Sequence, residues 1–154
     1  MGMKSPSSDK QAGTRLDAGA LQALAETFIS VSNAHDAEAL SRLYGENACH
    51  REAATGAQRS GRAAIAAGFE KFVTVLAAAR WEPLETVVSG AEVLLIYRLT
   101  GRLAAQLGPF PGNGQPIDLF GAQKLSVAED GRINLSLDYW NPRSFAAQAK
   151  REAS

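Results

Sequence analysis

The sequence is poor in the residues that staple or metallate small proteins. Its single cysteine, Cys49, excludes an internal disulfide and any multi-cysteine zinc site. Its two histidines, His35 and His50, are too far apart for an H-x-x-x-H pair, so no metal is expected. Long apolar runs are also missing. Nothing approaches the roughly 20 residues needed to cross a bilayer, and the N-terminus has no apolar h-region of the kind that marks a secretory signal. Neither charge sign is in excess: 16 Lys and Arg balance 16 Asp and Glu, which removes the basic footprint of a nucleic-acid binder. Gly112-Asn113-Gly114 is followed by no Lys-Ser/Thr pair and opens no helix, so it reads as a turn and not a phosphate loop. No internal repeat is visible. A cytoplasmic protein that takes neither nucleic acid nor membrane as partner is the expectation from these absences.

What is present fits one domain. The chain has 154 residues, of which 45% are hydrophobic and 21% charged. Alanine supplies 28 of those hydrophobic residues, so the large apolar side chains must be concentrated in a few elements. Residues 1–15 (MGMKSPSSDKQAGTR) contain no apolar periodicity and read as a disordered leader before a single domain over 16–150. Asp17 is a candidate N-cap, and Leu21, Leu24, Phe28 and Val31 follow with helical spacing as far as Asn33. A second short helix starts after Asp36 and carries Leu40 and Leu43 to Tyr44, with Gly45 as its C-cap. Ala48–Glu52 is a short strand. Ser60 or Gly61 opens a third helix, with Ile65, Phe69, Phe72, Val73 and Leu76 on one face and an end near Arg80.

The second half reads as strands at Trp81–Ser89, Glu92–Thr100, Ile117–Val127 and Arg132–Trp140, with a loop at Leu107–Pro116 and a short helix after Pro142. Gly101–Gln106 continues the second of these strands past a bend. Glu129-Asp130-Gly131 closes the last hairpin. Helices first and antiparallel strands later predict an α+β domain.

The last strand alternates: Ile133, Leu135, Leu137 and Tyr139 point one way, Asn134, Ser136, Asp138 and Trp140 the other. Two readings are open. Either the apolar face is core and the polar face meets water, or one face meets a second sheet or subunit while the other lines a pocket. On the preceding strand Asp118, Phe120, Ala122, Lys124 and Ser126 share a face, and pairing across the turn matches that face to Asn134, Ser136 and Asp138. A slip of one residue would reverse the assignment.

The order of NAHDAEALSRLYGENA, TGAQRSGRAAI, LTGRL, LGPFPGNGQPIDLFGAQKLSVAEDGRI and LDYW resembles the SnoaL-like polyketide cyclases of the nuclear-transport-factor-two-like superfamily, from about Leu21 to about Gln148. The resemblance implies a cone, with N-terminal helices packed into a strongly curved, mixed, mostly antiparallel sheet around an apolar pocket. It also implies a homodimer that packs sheet on sheet. Its cyclases use an aspartate of the last strand as general acid/base, and Asp138 in LDYWN falls there; the family's next acidic residue is Asn141 here. The Gln and His that those cyclases carry on the preceding strand would be Ala122 and Lys124. The Arg-x-Asp of the superfamily's epoxide hydrolases has its nearest match in Arg98-Leu99-Thr100, which lacks the carboxylate.

The function so implied is acid/base chemistry, an intramolecular aldol cyclisation or a related reaction, on a hydrophobic polyketide-like or polycyclic molecule, without a cofactor. A non-catalytic binding protein of the same fold, or an isomerase or dehydratase using the same aspartate, is the alternative. The candidate catalytic residues are Asp138, Lys124 as a donor to an enolate oxygen, and His50 at the pocket mouth. Tyr44, Phe72, Trp81, Tyr97, Phe120 and Trp140 are candidate substrate-contacting walls, and Pro109 and Phe110 a candidate lip. Cys49 has nothing to orient it as a nucleophile and reads as an inert buried thiol. His35 reads as a helix-junction residue.

Overall fold

The computed structural model describes residues 16–152, so the expected leader lies outside the described residues. Four helices and six strands follow in the order α1 (Ala18–Asn33), α2 (Ala37–Arg42), β1 (Tyr44–Glu52), β2 (Gln58–Ser60), α3 (Arg62–Val75), β3 (Leu76–Ser89), β4 (Glu92–Leu103), β5 (Gln115–Val127), β6 (Ile133–Trp140) and α4 (Pro142–Ala149). The strands form one sheet in the order β2-β1-β6-β5-β4-β3. Only β1 and β6 run parallel; the other neighbours are antiparallel.

The N-caps Asp17 and Asp36 act where the sequence places them. Asp17 accepts from the Ala20 amide at 2.7 Å and Asp36 from the Ala39 amide at 3.0 Å, each satisfying a donor that a helix start leaves unpaired. Asn141 does the same for α4, ahead of Pro142 at its first turn. The apolar stripe of α1 buries Leu21, Ala25 and Phe28 against Val93, Leu95, Leu125, Val127 and Ile133 of the sheet. A second cluster, with Leu76, Leu99, Leu103, Ile117, Leu119 and Phe145, fills the other end.

Several boundaries differ from expectation. Gly45 does not cap α2; Leu43 does, and β1 begins at Tyr44 instead of Ala48. The third helix stops at Val75, and Leu76–Arg80 is strand. Three consecutive alanines favour a helix there, but Leu76 and Ala77 pair with Leu103 and Arg102 of β4, and that pairing overrides local propensity. The irregularity left behind is a bulge between Ala77 and Arg80, with Ala78 at φ 55°. His35, also at φ 55°, bonds the Ala79 carbonyl through Nε2 at 2.6 Å, so the helix junction holds this bulge in place.

The last hairpin is shifted by one residue from the expected register. Asp138 lies opposite Gln123, Leu137 opposite Lys124 and Ser136 opposite Leu125. A bulge then makes Asn134 the extra residue, because Ile133 pairs with Val127 and Leu135 with Ser126. Ile133 is therefore buried on the inner face with Ser136, Asp138 and Trp140, while Asn134 is exposed. The matched partner face is Ile117, Leu119, Gln123, Leu125 and Val127, not the Asp118-to-Ser126 set.

Candidate functional site

The inner face of the sheet, α3, α4 and the Leu107–Phe110 loop enclose a cavity of about 510 Å³. Its walls are mainly apolar: Phe28, Leu40, Ile65, Phe69, Leu99 and Leu119 are typical. Trp81 forms part of one wall, packed on Phe69 and Phe72 with ring centroids 5.8 Å apart in each case. Its backbone is pinned to the end of α1: the Trp81 N–H donates to Asn33 Oδ1 at 2.7 Å, and Asn33 Nδ2 donates to the Trp81 carbonyl at 2.9 Å. Pro109 and Phe110 reach the cavity from the loop, and Phe110 and Trp140 both pack edge-on to Phe145.

A band of polar side chains crosses this apolar interior. Strand pairing sets two rows on the inner face: Arg59, His50 and Ser136 in one, Glu52, Asp138 and Gln123 in the next. Asp138 is the centre of the band. Its Oδ1 accepts from the Tyr97 hydroxyl at 2.6 Å. Burial pushes the Asp138 carboxyl up from 3.8 to about 6; the Tyr97 hydrogen bond opposes that rise, and the negative charge of Glu52 adds to it. Tyr97 is itself raised, by burial first and by Asp138 second, so the phenol keeps its proton and stays the donor.

Tyr97 reaches Asp138 because residue 121 is glycine. A Cβ at Gly121 would stand 2.3 Å from the Tyr97 hydroxyl oxygen, so the phenol lies across bare backbone. Beside this pair the Ser136 hydroxyl, fully buried, bonds Tyr44 Oη at 2.9 Å and His50 Nδ1 at 2.7 Å. His50 is held below its ordinary pKa, chiefly by burial, with the charge of Arg59 adding to that and Glu52 opposing it; the imidazole is neutral at pH 7. Its Nε2 is 4.0 Å from Glu52 Oε1.

The structure thus brings Asp138, His50, Tyr44, Phe72, Trp81, Tyr97 and Trp140 to one cavity. It does not bring Lys124 or Phe120 there. The one-residue register shift turns both outward: Lys124 pairs with Glu92 at 3.2 Å, and Phe120 is 65% exposed. Cys49 is half-buried, not buried, and lies outside the cavity lining. Gln123, Glu52 and Arg59 are cavity residues that the sequence reading missed. Alternation would have exposed Gln123 once Asp138 was set inside and the register corrected by one; Glu52 and Arg59 depend on the parallel β1–β6 pairing and on a three-residue strand, neither of which is legible locally.

A bent six-stranded mixed sheet closed over helices defines the cone fold of the nuclear-transport-factor-two-like superfamily. Within it, the family model of the SnoaL-like domain matches residues 25–135, and the chain belongs to that family. Among solved structures, the chain is similar to a candidate polyketide cyclase from Xanthomonas campestris pv. campestris, at 22% identity and a TM-score of 0.77, over 86% of this chain and 98% of that one. It is also similar to AclR, a candidate hydroxylase from Streptomyces galilaeus, at 15% identity and TM-score 0.75, over 86% and 97% of the two chains. A candidate ketosteroid isomerase from Kribbella flavida follows at 19% identity and TM-score 0.63, over 80% and 78%. At these identities the likeness is one of fold. No curated protein sequence matches the chain.

Proposed function

We propose that this protein is an acid/base enzyme that binds an apolar, ring-bearing carbonyl compound in the cavity and uses Asp138 to move a proton at the carbon next to the carbonyl. An intramolecular aldol closure, or an isomerisation through the same enolate, is the chemistry that such a site serves. The observation that carries the reading is the Asp138 carboxylate in a mainly apolar cavity, oriented by Tyr97, with a pKa of about 6. At neutral pH it is mostly ionised, so it can accept a proton. The same pKa lets it return that proton readily, which is the condition for efficient general acid/base catalysis.

Other residues have roles consistent with this. Among the described residues the Gln123 side chain makes no hydrogen bond, and it lines the cavity in the same row as Asp138. Its amide N–H is a free donor for the oxygen on which enolate charge develops. The Tyr44–Ser136–His50 chain is anchored in core and holds the neutral His50 ring at the polar end of the cavity, where it can exchange a proton with a substrate oxygen.

The direct test is solvent exchange. Polycyclic ketones and polyketide-like β-dicarbonyl compounds are incubated with protein in D2O, and loss of the α-proton is followed by NMR. Asp138→Asn is expected to slow exchange by roughly 10²–10⁴-fold with ligand binding retained. Equal exchange by wild type and variant would remove Asp138 from the mechanism. Binding without any exchange would favour the non-catalytic carrier.

A further inference from the structure

At the polar end of the cavity one side chain has no job in the chemistry just described. Arg59, from the edge strand β2, lines the cavity with its side chain 31% exposed. Its Nη1 is 3.6 Å from Glu52 Oε1, an ion pair but longer than a hydrogen bond. Among the described residues the Arg59 side chain donates no hydrogen bond, so the donors of its guanidinium are unspent. Yet it is firmly placed. A Cβ on Gly68 of α3 would stand 2.0 Å from Arg59 Nε and 2.6 Å from Cζ, so the guanidinium lies directly against bare helix backbone. One turn further along α3, Lys71 also lines the cavity, and among the described residues it forms no ion pair.

At this end two cations, Arg59 and Lys71, meet the carboxylate of Glu52, with Asp138 next to Glu52 one strand further in, and the neighbouring imidazole of His50 is neutral. Glu52 is already supplied with a donor by the Thr55 hydroxyl at 3.1 Å. A planar cation backed by helix, with unspent donors and lining an apolar cavity, matches a carboxylate, which a guanidinium binds through two parallel hydrogen bonds.

We infer that Arg59, seated on Gly68 and assisted by Lys71, receives the carboxylate of the ligand, so that the molecule bound is an apolar acid: an anionic group at the cavity mouth and a ring body within. This rests on the reading of the cavity as a binding site for an apolar carbonyl compound and adds its second functional group. The Arg59 end and Asp138 are separate points on the polar band, so the acid group is the handle and not the reacting centre.

The test uses a matched pair of fluorescent probes, 1-pyrenebutyric acid and its methyl ester, titrated at pH 8 and low ionic strength. Wild-type protein is expected to bind the acid about 10-fold more tightly than the ester, in line with one charge-assisted bidentate contact. Arg59→Met should bring the two within about 2-fold of each other. Gly68→Ala should act in the same direction, because its methyl group displaces the guanidinium, and Lys71→Met should lower acid binding by roughly 3-fold. Ester affinity should be unchanged in all three variants, which shows that each is folded with its cavity intact. Equal binding of acid and ester by wild type, or an acid preference that survives Arg59→Met, would overturn the inference and leave the apolar cavity standing. Failure of wild type to bind either probe would overturn both readings.

Discussion

Replacing Asp138 with Asn should make the protein more stable, and by an amount that depends on pH. The carboxyl is displaced from 3.8 to about 6 by the fold, so folding favours its protonated form. The sign follows: stability associated with this group is fully present below pH 4 and is lost as pH rises through 6. Linkage puts the loss at about 3 kcal/mol at pH 7.5 and about 1 kcal/mol at pH 4.5. Asparagine has nearly the same shape, carries no charge, and can still accept the Tyr97 hydrogen bond through its carbonyl. The advantage of Asp138→Asn over wild type should therefore grow by about 2 kcal/mol between pH 4.5 and pH 7.5. Urea denaturation of both proteins at the two pH values measures this, and titrating groups that do not interact with Asp138 cancel in the difference. An advantage that does not change with pH, or a variant less stable at both, would refute the claim that a desolvated carboxylate sits in this cavity.

Tyr97→Phe removes the hydrogen bond that opposes the rise of Asp138, so the acid limb of the exchange-rate profile should move upward from about 6; a limb that moves down or stays would contradict the assigned donor. Gly121→Ala should reproduce that shift with both partners retained, because its Cβ pushes the Tyr97 hydroxyl away from Asp138. Lys124→Gln, by contrast, should leave both binding and exchange unaltered within about 2-fold, since its side chain is paired to Glu92 on the opposite face. That outer face carries Phe120, Tyr139 (47% exposed), Leu135 and Leu137, and a second copy of the chain is expected to cover it. Light scattering should then report twice 16.3 kDa, and Leu137→Glu should return the monomer mass.

Much of the molecule can be read without coordinates, because the signals are local. Caps at Asp17 and Asp36, the helical spacing of Leu21 and Phe28, the Asp130-Gly131 turn and the alternation around Asp138 each involve neighbours in the chain. From these the α+β class and the order of the elements other than the three-residue β2 follow, and the family resemblance supplies the cone and the candidate Asp138. The tertiary structure decided what depends on partners distant in sequence. Pairing with Leu103 and Arg102 turned the alanine-rich Leu76–Arg80 from helix to strand. A single bulged residue, Asn134, set the register of β5 against β6, which sent Lys124 and Phe120 outward and brought Gln123 in. Side chains alternate with a period of two, so one residue of slip exchanges the faces of a whole strand, and no pattern within the strand reports where the bulge lies. The glycines at 68 and 121 read as weak spots in a helix and a strand; only the arrival of Arg59 and Tyr97 from other elements shows that each is the space in which a polar side chain is held.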